Sequence, residues 1–97
     1  MDEALMEDVV AALRRKDSSL AAQVLSEFLE EGNQGELLVA LREMTAAFGG
    51  AQNLAEQVGL HPRRLYRQLS SDGNPSVIHL SAILKAMGMQ LRVRSLR

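Results

Sequence analysis

Residues 52–69, QNLAEQVGLHPRRLYRQL, constrain the fold more than any other stretch, because they specify two short helices and the break between them. Leu54, Ala55 and Val58 recur at i, i+1 and i+4, one helical face, and Gly59 ends that helix where a left-handed backbone is wanted. His61 stands at an N-cap position. Pro62 follows at the first helical position, where a missing N–H removes nothing and φ is already near its helical value. In the second helix Leu65 and Leu69 share a face, while Arg63 and Arg67 lie roughly 200° away at about 100° per residue. The second helix therefore buries leucine and shows arginine.

Two helices joined by a short glycine turn, the second presenting cations, outline a helix-turn-helix, whose second helix enters the major groove of DNA. Arginine is the commonest reader of guanine because its fork matches two acceptors on that base. Arg63 and Arg67 are the expected base readers, with Pro62 beside them at the helix start. Arg64 and Tyr66 lie about 100° to either side, toward the groove walls, and are expected at phosphates. Gln52 and Asn53, near the start of the first helix, and His61 complete the expected phosphate set, since helix N-termini offer unpaired amides. The competing reading is a helical hairpin whose arginines only solvate a surface.

Upstream, three amphipathic helices are expected. Leu5, Met6, Val9, Val10 and Leu13 mark the first, up to about Lys16. Asp17 and Ser18 offer caps for the second, which runs through Leu20, Val24, Leu25, Phe28 and Leu29 to Gly32. Asn33 with Glu36 resembles a capping box for the third, carried by Leu37, Leu38, Leu41, Met44 and Phe48 as far as Gly49 and Gly50. Downstream, residues 70–75 (SSDGNP) are a loop, and Val77, Leu80, Ile83, Leu84 and Met87 mark a sixth helix that Gly88 ends. The period then changes. Met89, Leu91 and Val93 alternate with Gln90, Arg92 and Arg94, which predicts a short strand. A lone strand implies pairing across a homodimer axis or with a partner's sheet.

Charge divides the chain. Residues 1–36 hold three cations and nine carboxylates, a net −6, whereas residues 37–97 hold eight cations and three carboxylates, a net +5. A basic half carrying the helix pair favours nucleic acid, although the whole chain is nearly neutral. Ninety-seven residues form a core modest enough to favour oligomerisation. Without cysteine there is no disulfide, thiolate metal site or cysteine nucleophile. No apolar run reaches membrane length and no export signal opens the chain, so a cytoplasmic location without membrane contact is expected. His61 and His79 lack carboxylates at ligand spacing, and no nucleophile elbow, zincin or phosphate-loop motif is present, so neither catalysis nor a metal or cofactor is expected.

The run GLHPRRLYRQLSSDGNPSVIHLSAILKAMGMQLRV resembles the helix-turn-helix antitoxins called addiction-module antidote proteins, relatives of the Hig-type antitoxins and of the phage-repressor, Cro-like (Xre) domains. The resemblance rests on the glycine turn, Leu65-Tyr66-Arg67, Gly73-Asn74-Pro75-Ser76, a helix ending near Met87-Gly88, and the segment that follows. It covers residues 37–93 well. It implies an all-α, Cro-like bundle, here with extra amino-terminal helices and the short carboxyl-terminal strand, divided into an extension (1–35) and a DNA-binding domain (36–97). It also implies a dimeric repressor of the module's own promoter, bound to a palindromic operator, that neutralises a small messenger-RNA-cleaving toxin. Ala51 stands where such repressors often place a glutamine against phosphate, which leaves Gln52 or Asn53 to substitute. A stand-alone Xre-type regulator and a helical interaction module without DNA binding are the alternatives.

Overall fold

The structure, a computed structural model, describes residues 2–97. Six α-helices occur in order: α1 (Glu3–Arg14), α2 (Ser19–Glu31), α3 (Gln34–Met44), α4 (Ala51–Val58), α5 (Pro62–Gln68) and α6 (Val77–Ala86). A single 3-10 turn, Thr45–Phe48, separates α3 from α4. The α-helix therefore stops short of Phe48, where periodicity alone would carry it. Thr45 is buried, and its hydroxyl donates to the carbonyl of Arg42 at 2.6 Å, which tightens the last turn before Gly49.

Capping explains most of the helix boundaries. The Asp2 carboxylate accepts from the amide of Ala4 (3.1 Å), the Asn33 side chain from Glu36 (3.2 Å) and the Ser76 hydroxyl from His79 (3.1 Å). At α2 the cap is Asp17, whose carboxylate accepts from both the amide and the hydroxyl of Ser19. The Ser18 hydroxyl reaches across the fold instead and donates to the carbonyl of Gly88 at 3.1 Å, tying the start of α2 to the end of α6.

One hydrophobic cluster unites the helices. Met6, Val9 and Leu13 from α1, Val24 and Leu25 from α2, and Leu37, Leu38, Leu41 and Met44 from α3 meet Leu54, Leu65, Leu69, Ile83 and Met87. Each large side chain fully withdrawn from water contributes on the order of 1.5–3 kcal/mol relative to leaving it exposed. The α3 helix is central because five of its apolar side chains are buried while α1 and α2 both pack on it. Its first turn also touches the α5–α6 loop. The Gln34 amide donates to the carbonyl of Gly73 at 3.0 Å.

The expected strand does not form. Residues 89–97 are non-helical, and no strand occurs among the described residues. The amide of Met89 donates to the carbonyl of Leu84 (2.8 Å), closing α6 rather than joining a ladder. Met89 and Leu91 are half-buried against the helical core, whereas Val93 is fully exposed. The alternation is that of an extended chain laid for a few residues over helices, which gives period two with no partner strand.

Candidate nucleic-acid interface

The helix pair is built as local chemistry requires. Gly59 takes φ 73°, and the next amide, of Leu60, donates back to the carbonyl of Ala55 at 2.9 Å, which turns the chain sharply away from α4. His61 then adopts an extended backbone, and its Nδ1 accepts from the amide of Arg63 at 3.2 Å. Pro62 opens α5. This side-chain cap makes the Nδ1 of His61 an acceptor and leaves its other ring nitrogen to carry the proton.

Two leucines fix how α5 sits. Leu65 and Leu69 are fully buried, packed in the cluster that holds Leu54 and Ala55 of α4. The opposite face follows from helical geometry, and Arg63, Arg64, Tyr66 and Arg67 are all exposed. Three guanidinium groups thus project from one helix of seven residues. Each carries fixed charge and a planar donor fork suited to phosphate or to guanine. Pro62 is half-buried at the same end of the helix, and His61 is exposed beside it.

The expected phosphate residues divide in two. Gln52 is exposed on the first turn of α4, a helix whose cap, Gly50, supplies no side-chain acceptor, so backbone donors remain at this end. Asn53 is already engaged: its amide donates to the carbonyl of Phe48 at 3.2 Å and closes the 3-10 turn. Gly49 makes room for this contact, since a Cβ there would lie 2.5 Å from the Asn53 Nδ2 atom.

Arg42 is the residue that sequence reasoning passed over. Its guanidinium lies over the Tyr66 ring, 4.6 Å from the centroid, and brings a fourth cation to the arginine face. Nothing local in the sequence places the outer side of α3 beside α5, so only the packed fold reveals it. Among the described residues no three His, Asp or Glu side chains gather where an ion could be held. No helix among them is long and apolar enough to cross a membrane. Exposed planar cations on α5, with Arg42 beside them, and free amides at the start of α4 are each chemistry for binding a polyanion.

Comparison with known proteins gives a family. The family model described as "Probable addiction module antidote protein" matches residues 6–95. A protein of Haemophilus influenzae (strain Rd), carrying only the name "Uncharacterized protein", is 33% identical over 73 residues, spanning 75% of this chain and 74% of the relative. No solved structure matches the chain significantly.

Proposed function

Because the chain belongs to the addiction-module antidote protein family, we propose that it is an antitoxin that binds its own promoter as a dimer and neutralises a small nuclease toxin. The observation that supports DNA binding is the pairing within α5 of a fully buried leucine face with an exposed arginine face, directly after a capped glycine turn. In this reading α4 and α5 are the two helices of a Cro-like helix-turn-helix. Arg63 and Arg67, with Pro62, meet base edges, and Arg64, Tyr66, His61 and Gln52 meet the sugar–phosphate backbone. Arg42, held against Tyr66, joins the phosphate set. Asn53 contributes by holding the entrance of α4 through the Nδ2 bond to Phe48, with the second N–H of the same amide left to donate to phosphate.

Residues 36–97 form the DNA-binding unit in this account, and residues 1–35 extend it with an acidic surface. That surface suits a basic, RNA-cleaving toxin, since opposite fields speed encounter more than they tighten the complex. The chain acts by binding and not by catalysis.

Nuclease protection on the DNA preceding the chain's own reading frame tests the operator claim. Two protected half-sites one helical turn apart, about 34 Å, are expected, and protection of a single half-site overturns the dimer. Co-expression with the product of the adjacent reading frame tests the antitoxin claim. Copurification together with relief of growth arrest is expected, and the absence of both overturns it.

A further inference from the structure

A groove of about 390 Å³ runs between α1 and α3, lined by Glu3, Met6, Glu7, Val10 and Arg14 of α1 and by Glu43 of α3. Glu3, Glu7, Val10 and Arg14 recur at i, i+4, i+7 and i+11, which places them on one stripe of α1. Met6 is buried and Val10 half-buried, so the floor is apolar, while Glu3 and Glu7 stand exposed on the α1 wall and Glu43 on the α3 wall. Val39 and Ala40 of α3 carry the apolar floor into an adjoining hollow beside Met6. Among the described residues Arg14 is the one cation in this lining, against three carboxylates. The field in the groove is therefore negative, and a ligand that is cationic at its edges and aliphatic along its middle fits it.

The same chain carries such a ligand. Residues 92–97, RVRSLR, hold three arginines and no acidic side chain, and Val93 and Leu96 are 103% and 99% exposed. Val93 and Leu96, three apart, share one edge of a polyproline II turn, with Arg94 and Arg97 on a second edge and Arg92 with Ser95 on the third. An aliphatic edge between two edges that carry arginine matches an apolar floor between two walls that carry glutamate. Half-buried Met89 and Leu91 hold the root of the segment on the helical core. The six residues beyond reach about 19 Å, at about 3.1 Å per residue.

We propose that the α1–α3 groove binds residues 92–97 of a second copy of this chain, with Val93 and Leu96 against Met6 and Val10 and the arginines against Glu3, Glu7 and Glu43. Within one chain the groove stands open and both aliphatic side chains are out of contact, so the two halves meet between copies. A twofold axis gives two such contacts per dimer, since each copy supplies one groove and one segment. The contact deepens the dimeric reading above and rests on it for its biological use. Association is read without DNA, so its failure and the failure of operator binding are separate results.

Sedimentation velocity of the full chain over a concentration series, in DNA-free buffer, tests this. The wild-type chain forms a dimer that weakens as salt screens the arginine–glutamate contacts. Glu7→Arg/Glu43→Arg in the groove and Arg94→Glu/Arg97→Glu in the segment each weaken association by about tenfold or more, with unchanged helical circular dichroism, since all four side chains are exposed. Val93→Ser/Leu96→Ser weakens it without any change of charge, which separates a seated segment from general attraction between charged chains. An equimolar mixture of the two charge-reversed variants regains association, because the arginine groove of one meets the glutamate segment of the other and the reverse pair is also matched. Contacts within one chain gain nothing from mixing. A wild-type chain that stays monomeric, dimerisation undiminished in any of the three variants, or a mixture no better than its components overturns the proposal, and the first of these leaves the groove to a different cationic partner.

Discussion

The guanidinium of Arg42 on α3 stacks over the ring of Tyr66 on α5 at 4.6 Å from its centroid. This contact links the central helix of the core to the helix that carries the other arginines. Both side chains are exposed, so the coupling between them is modest, on the order of 0.5–1 kcal/mol. A double-mutant cycle with Arg42→Ala and Tyr66→Ala, read by chemical denaturation, is expected to return that coupling. Strict additivity of the two changes would show that the stacking does not persist in solution.

Leu65 and Arg63 stand two residues apart with opposite fates, and substitution separates them. Leu65→Ala empties a fully buried site and is expected to cost about 2–5 kcal/mol. Arg63→Ala changes an exposed side chain and is expected to alter stability by less than about 0.5 kcal/mol. Thermal melts of the two variants check the contrast.

Backbone conformation gives a second pair of opposite signs. Gly59 is left-handed at φ 73° with open space around it, so Gly59→Ala is expected to cost about 1 kcal/mol from backbone strain alone. Lys16 occupies the same kind of position after α1, at φ 62°, without being glycine. Lys16→Gly is therefore expected to stabilise by some tenths to about 1 kcal/mol, strain relief being partly offset by a freer unfolded chain. Gly73 differs from both, because an added Cβ would lie 2.2 Å from the carbonyl oxygen of Gln68. Gly73→Ala must displace the α5–α6 loop and is expected to cost about 1–3 kcal/mol.

The cap of α2 sets an acid-side pH dependence. Hydrogen bonds from the Ser19 hydroxyl, then from its amide, with Arg15 nearby, hold the Asp17 carboxyl below its ordinary value of 3.8. A group whose pKa is lower in the folded state stabilises the fold above its unfolded pKa. That contribution is fully present above about pH 4 and is lost as pH falls through the lower folded value. Stability curves of the wild-type chain and Asp17→Asn should therefore differ most at neutral pH and converge in acid. A difference that grows toward low pH would contradict the assignment.

How far the sequence speaks for the structure differs from element to element. The helix pair is legible almost residue by residue, because Gly59, His61, Pro62 and the Leu65/Leu69 spacing each act locally on the backbone. The arginine face is legible for the same reason, since burying Leu65 leaves Arg63, Arg64 and Arg67 outside. Residues 89–93 mislead: two half-buried residues of an extended chain produce the same alternation as a strand, and alternation carries no information about a hydrogen-bonding partner. Asn53 and Arg42 are hidden for another reason. The bond from Asn53 depends on a 3-10 turn set by the buried Thr45, and the Arg42–Tyr66 stack depends on how α3 meets α5. Both are properties of packing.

The central claim is that α5 reads DNA through Arg63 and Arg67. Binding of the DNA preceding the chain's own reading frame, compared with unrelated DNA across a salt series, tests it most directly in the wild type, Arg63→Ala/Arg67→Ala and Arg64→Ala. The double substitution is predicted to abolish preference for the operator, at about 1–3 kcal/mol per lost bidentate contact, while weak binding to any sequence persists. Arg64→Ala is predicted to weaken all sequences alike and to lower the salt slope by about one. An operator preference that survives the loss of both Arg63 and Arg67 would contradict the account.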